Sequence, residues 1–156
     1  GKVNAINPTL IIHLGDNFKD RLPFVALGIP IIAIPGTWCT EYLNPLIDNR
    51  RFETIEGWRF FLTHTPESDY HDLPGDIRPE DVLHDKSCDI FLHGHTHHPV
   101  IEGDHPVVIN PGHLKYGDKR GSKPSYAIAH VDQEKIDISI INLDDDQDVK
   151  TKIVYK

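Results

Sequence analysis

CDIFLHGHTHHP (residues 88–99) is the stretch on which the reading of this chain turns. Its first half, Ile90-Phe91-Leu92, is a short apolar run of the kind that forms a buried strand. Its second half places four histidines, His93, His95, His97 and His98, in immediate succession. Three of them alternate, which along an extended chain sends their rings to one side. A polar surface does not need so much imidazole in one place, and a metal site is the first chemistry it suggests. Gly94, just before His95, supplies the backbone freedom for His95 and His97 to turn toward one point.

Working outward, TLIIHLGD (9–16) and IPIIAIPG (29–36) read as branched apolar strands buried on both faces, the kind found in parallel or mixed sheets. Between them, Asn17 to Leu27 can hold a short helix that Pro23 limits to a first turn or a break. RFETIEGWRFFLTHTP (51–66) reads as a hairpin turning at Glu56-Gly57, its second strand delivering His64 at its end. RPEDVLHDKS (78–87) has a helix start at Pro79. After the histidines come PVIEGDHPVVINPG, SYAIAHVD and KIDISIINL as strand–turn–strand units, and VKTKIVYK (149–156) as an edge strand. Strand and helix alternate early while antiparallel strands dominate late, which predicts an α/β fold of two packed sheets with helices outside.

With 156 residues the expectation is one domain over 1–156, long enough to bury roughly 70% of its unfolded surface. The formal charge of −8 argues against a nucleic-acid backbone or an anionic membrane as partner, since both need a basic patch. It leaves a phosphorylated small molecule open, because a bound divalent metal reverses the local sign. Cys39 and Cys88 lie far apart in no C-x-x-C pattern and read as reduced thiols of a cytoplasmic protein. No signal peptide or membrane-length apolar run is visible.

Asp16, His64 and the pair His95/His97 each follow the apolar run of a strand directly, and ligands of open α/β sheets collect at that end of the strands. One carboxylate with three imidazoles suits Zn, Mn, Fe or Ni and is too nitrogen-rich for Ca or Mg. His93, inside its strand, is expected as a packed imidazole and His13 as a hydrogen-bonded core residue. His71, His84, His105 and His130 carry no functional expectation. Trp38, Trp58, Phe60 and Phe61 are expected as core or pocket-wall aromatics.

HLGD, LTHTP, GHTHHP and INPGH, in this order and spacing, resemble the calcineurin-like metallophosphoesterases, in particular their small single-domain phosphodiesterase branch. The resemblance runs from about Asn7 to the C-terminus and implies an α/β/β/α sandwich. It also implies two divalent transition-metal ions, Mn foremost with Ni, Fe or Zn as alternatives, about 3.5–4 Å apart and activating a water against a phosphoester. By resemblance Asp16 is the bridging carboxylate, His64 and His95 are ligands of one metal, and His97 is a ligand of the other. Asn110, Pro111, Gly112 and His113 match the loop that supports the site. His98 and His113 either touch a substrate phosphate or line the rim.

Two departures accompany the resemblance. Nothing upstream of Asp16 reads as the family's opening Asp-x-His strand, so the expectation is a chain truncated at its N-terminus and lacking that strand and its helix. Where the family has Gly-Asn, this chain has Gly36-Thr37, leaving Thr37 as a weak metal ligand with Glu41 as a candidate substitute. The expected activity is hydrolysis of a phosphorylated small molecule, most plainly a phosphodiester, by metal-activated water with no protein nucleophile; a homo-oligomer stays open. The alternative is a catalytically weak or inactive scaffold for protein assembly, since one related branch, a subunit of the retromer cargo-sorting coat, keeps the fold for that purpose.

Overall fold

The two central runs of the chain lie side by side in the computed structural model, which describes residues 1–156. β3 (Arg50–Ile55) and β4 (Trp58–Thr63) form the expected hairpin, with Ile55 opposite Trp58. Glu56 and Gly57 turn it with φ of 50° and 80°, the left-handed pair that matches the twist of the flanking strands. β4 then pairs in parallel with β5 (Ile90–Leu92), and β5 with β7 (Val107–Asn110); β6 (Val100–Glu102) closes the sheet antiparallel to β7. The order is β3-β4-β5-β7-β6, a mixed sheet with its parallel strands in the middle.

Alternation along β4 separates two cores. Phe60 and Leu62 join Ile90, Val107, Ile34, Ile136 and Ile138 on one face. Phe61 joins Phe91, Cys88 and Val82 on the other, where α3 (Pro79–His84) supplies cover. The first face is covered by a second layer of strands. It contains β1 (Ile11–His13) parallel to β2 (Ile31–Ala33), and an antiparallel sheet of β8 (Ser125–Val131), β9 (Lys135–Asn142) and β10 (Asp148–Tyr155) in the order β10-β9-β8. The remaining helices are short: α1 (Lys2–Ile6), a 3-10 turn over Phe18–Arg21, α2 (Leu22–Val25) with Pro23 in its first turn, and a 3-10 turn over Thr40–Leu43. The architecture is α/β, mixed sheets flanked by a few short helices, a reduced form of the metallophosphoesterase sandwich.

Two expectations need correcting. β1 and β2 are half-buried along their lengths instead of buried on both faces, because β1 pairs only with β2 and the second layer is divided into two sheets. Trp38 is not a core aromatic but is 78% exposed, unlike Trp58, Phe60 and Phe61; it sits on the loop after β2, beyond the last core residue, Ile34. No helix is long and apolar enough to cross a membrane. Cys39 and Cys88 are both free thiols.

Candidate functional site

Asp16, Thr37, His64, His93 to His97 and Asn110 all stand at or just past the carboxyl ends of β1, β2, β4, β5 and β7. Parallel strands place their following loops on one edge, which is how residues so distant in sequence meet. Close backbone approach permits it. A Cβ on Gly36 would come within 2.6 Å of the Asp16 nitrogen, and one on Gly15 within 2.4 Å of His64 Nδ1. Asp16, His95 and His97 adopt left-handed backbone with φ of 63°, 64° and 64°. For residues with a side chain that costs of order 1–3 kcal/mol each, and it persists only where surrounding structure enforces it.

Asn110 is one enforcer. Fully buried, it donates to the Gly94 carbonyl at 2.9 Å and to Thr96 Oγ1 at 2.8 Å while accepting from the Gly112 amide. The other is the loop Gly117–Ser122, which grips three consecutive parts of the histidine run. Asp118 hydrogen-bonds His97 Nδ1, the Arg120 guanidinium donates to the His95 carbonyl at 2.7 Å, and Ser122 Oγ meets His98 Nδ1 at 2.7 Å. Reading the sequence overlooked Asp118, Arg120 and Ser122; the only signal was a charged GDKRGS loop soon after INPGH, with no spacing to tie it to His97.

The imidazoles meet one another and two carboxylates. His95 Nδ1 lies 3.3 Å from His64 Nε2, and His64 Nε2 lies 3.6 Å from an Asp16 oxygen. The buried His64 ring donates through Nδ1 to the Leu14 carbonyl at 2.7 Å. Burial lowers its pKa, a shift that the Leu14 bond and the Asp16 charge only partly oppose. His97 Nε2 is 2.5 Å from Asp16 and its Nδ1 is held by Asp118, so both ring nitrogens face carboxylates. The Arg120 amide and then the His97 ring hold Asp118 down to a pKa of about 2. The buried His113 ring stacks on His97 with centroids 5.1 Å apart, and both its nitrogens are engaged, by the Lys115 amide at 3.2 Å and the Ser122 carbonyl at 2.9 Å. His93 is buried with Nδ1 3.0 Å from the Gly94 carbonyl, and burial lowers its pKa. His13 is half-buried and accepts from the Gly15 amide. Thr37 Oγ1 is buried without a partner, and the Glu41 carboxylate is bonded to the Thr40 hydroxyl instead.

These donors do not fit the dinuclear centre expected from the sequence. The one set of three His, Cys, Asp or Glu donors gathered within 4.8 Å of one another is His97, His113 and Asp118. A metal in a tetrahedral protein site takes four ligands, or three plus water, and both nitrogens of His113 are already hydrogen-bonded within the protein. Asp16, His64 and His95 do not close into a second set. The expectation of two transition-metal ions, manganese foremost, is therefore overturned. A phosphorylated small-molecule substrate fares no better. The cavity beside His95 has a volume of about 180 Å³ and is lined by Thr65, Pro66, Glu67, Ser68, Asp69 and His95, with Pro66 its one apolar side chain. Small-molecule pockets are typically larger, about 300–1,000 Å³, and Glu67 and Asp69 would repel a phosphate.

The sequence profile of the calcineurin-like phosphoesterase superfamily domain matches residues 2–134. The chain belongs to that superfamily. No curated protein matches the sequence significantly. Among solved structures, Vacuolar Protein Sorting 29 from Cryptosporidium parvum superposes with a TM-score of 0.72 at 17% identity, over 95% of this chain and 82% of that one. Wild-type Vps29 from Entamoeba histolytica, solved in complex with zinc, gives 0.72 at 16% identity over 99% and 86%. The Escherichia coli phosphoesterase YfcE gives 0.63 at 23% identity over 96% and 86%. At these identities the likeness is one of fold. Membership of the superfamily thus holds, but the expected hydrolase with bound manganese does not. The donor geometry lacks a complete dinuclear site.

Proposed function

We propose that this chain is a scaffold for protein assembly built on the metallophosphoesterase fold, acting as one domain over residues 1–156. The observation that carries the reading is that the histidine run is bound up within the protein. His97 lies between Asp16 and Asp118, His98 is bonded to Ser122, and His113 is engaged at both nitrogens. In this role Asp16, His64, His95 and His97 form a hydrogen-bonded clasp that joins the ends of β1, β4 and β5, with Asn110, His98 and His113 bracing it. Several similar folds are Vacuolar Protein Sorting 29 proteins, and the retromer-subunit branch of the superfamily offers the precedent for such use. Two free thiols, one of them buried, suit a reducing compartment and favour the cytoplasm.

The test is an assay of bis(p-nitrophenyl) phosphate with Mn, Ni or Zn supplied in turn. The expected result is no turnover above the metal-only blank for the wild type, and none for His95→Ala. Metal-dependent turnover that His95→Ala removes from a folded protein would overturn the scaffold reading.

A further inference from the structure

Beside the histidine clasp lies a face of opposite character. Trp38 is 78% and Tyr70 80% exposed, although both are large apolar side chains. They meet edge to face with ring centroids 6.5 Å apart at 76°, and His71 packs 4.7 Å from Trp38 and 3.8 Å from Tyr70. The result is a three-ring cluster in which the Trp38 and Tyr70 rings stay open to water and His71 is half-buried between them.

The loops that carry the cluster are held in place. Trp38 adjoins Cys39, whose amide bonds to the Gly36 carbonyl and whose thiol donates to the Asp16 carbonyl at 3.0 Å. Tyr70 and His71 lie between Asp69 and Asp72. The Asp69 carboxylate accepts from the His71 amide and ring, and Asp72 accepts the buried Arg50 guanidinium at both oxygens and the Tyr42 hydroxyl. Rings fixed in advance lose little entropy on binding.

Charge indicates what they would bind. No lysine or arginine occurs between Arg21 and Arg50, or between Arg59 and Arg78. The same two segments contain Glu41, Asp48, Glu67, Asp69, Asp72 and Asp76, of which only Asp72 is paired with an arginine. Burial pushes the Asp69 pKa up, but the hydrogen bonds from His71 outweigh it and leave the net shift downward, so Asp69 is ionised at neutral pH. Aromatic faces attract cations, guanidinium especially, and tryptophan and tyrosine dominate interface hot spots. An anionic partner or membrane surface would meet repulsion here.

We propose that Trp38, Tyr70 and His71 form the docking point for an arginine-bearing segment of a partner protein, its guanidinium stacked on the open rings and balanced by Glu67 and Asp69. The proposal rests on the scaffold reading and names the chemistry of the partner.

The chain's two tryptophans make a clean test, because Trp58 is buried with its indole donating to the Asp132 carbonyl. The probe is the peptide acetyl-Gly-Leu-Arg-Leu-Arg-Gly-amide, titrated into the full chain while the two indole N–H signals are followed by NMR. The Trp38 signal is expected to shift saturably and the Trp58 signal to stay still. The citrulline counterpart should bind more weakly by about 5-fold, and Trp38→Ala with Tyr70→Ala should abolish the peptide's effect. No shift at Trp38, or equal shifts from both peptides, would overturn the proposal. A protein partner captured equally by wild type and the Trp38→Ala, Tyr70→Ala variant would overturn this docking point and leave the scaffold reading standing. Metal-dependent hydrolysis removed by His95→Ala would overturn the scaffold reading by itself.

Discussion

Between Gly94 and His98 every histidine ring has a protein partner: His95 meets His64, His97 meets Asp16 and Asp118, and His98 meets Ser122. On the adjoining face, Trp38 and Tyr70 touch each other and His71 but leave most of their surface to water. The histidine run is reactive by composition yet each of its rings is engaged by a neighbouring side chain. The aromatic face has the composition of a core and is held rigidly outside it. Residue type therefore marks where chemistry could occur, whereas exposed surface held rigidly in place marks where a partner can act.

Breaking the support beneath the aromatic face should have the largest effect. The Arg50 side chain is 1% exposed and bonds to Thr63, Thr65 and both oxygens of Asp72. Removing one partner of a buried ion pair strands the other, so Arg50→Met should lose about 3–5 kcal/mol in urea unfolding. A loss too small to resolve would mean that the 65–77 loop is held by something else. The corresponding change beneath the histidine run is smaller. Asn110→Ala removes the bonds to Gly94 and Thr96 and should cost about 1–3 kcal/mol, with faster hydrogen exchange at Thr96 and His97 and unchanged exchange at Phe61.

The clasp should also show in acid. Asp118 has a folded pKa of about 2, below the unfolded carboxylate value of about 3.9. Its contribution to stability is therefore fully present above pH ~4 and is lost as pH falls toward 2. In an acid titration of stability, Asp118→Asn should flatten the limb between those values, and parallel curves for variant and wild type would contradict the His97–Asp118 bond. The smallest effect belongs to the aromatic face itself. Trp38→Ala with Tyr70→Ala should shift stability by no more than about 0.5 kcal/mol, as exposed positions do. A shift of several kcal/mol would show that the rings serve the fold and not a partner.

Much of the architecture was legible because its signals are local. The Glu56-Gly57 turn, the Pro79 helix start and the apolar runs of β4, β5, β7 and β9 announce themselves over a few residues. The convergence of Asp16, His64, His95 and His97 was legible too, since each follows a strand and parallel strands share an edge. What could not be read depends on long-range closure. Asp118 lies 21 residues beyond His97 in a loop whose path no periodicity describes. The left-handed backbone at His95 and His97 is held by Asn110, through Gly94 and Thr96, and by the Gly117–Ser122 loop, contacts that no local pattern announces. Trp38 reads as a core or pocket-wall aromatic because tryptophan is highly buried on average, and its exposure follows from the way the chain leaves β2. The family's ligand types likewise say nothing of how many donors stay free, which is why the metal-centred expectation failed while the fold held.

On this reading the protein works through its aromatic face, and its histidine run is a structural clasp. The decisive experiment is to express the tagged full chain in its own cells as wild type, as His95→Ala and as Trp38→Ala with Tyr70→Ala, and to quantify the partner proteins that copurify with each. His95→Ala should retain the wild-type partners and the aromatic variant should lose them, with all three chains folded by circular dichroism. Partners retained by the aromatic variant and lost with His95→Ala would contradict both assignments at once.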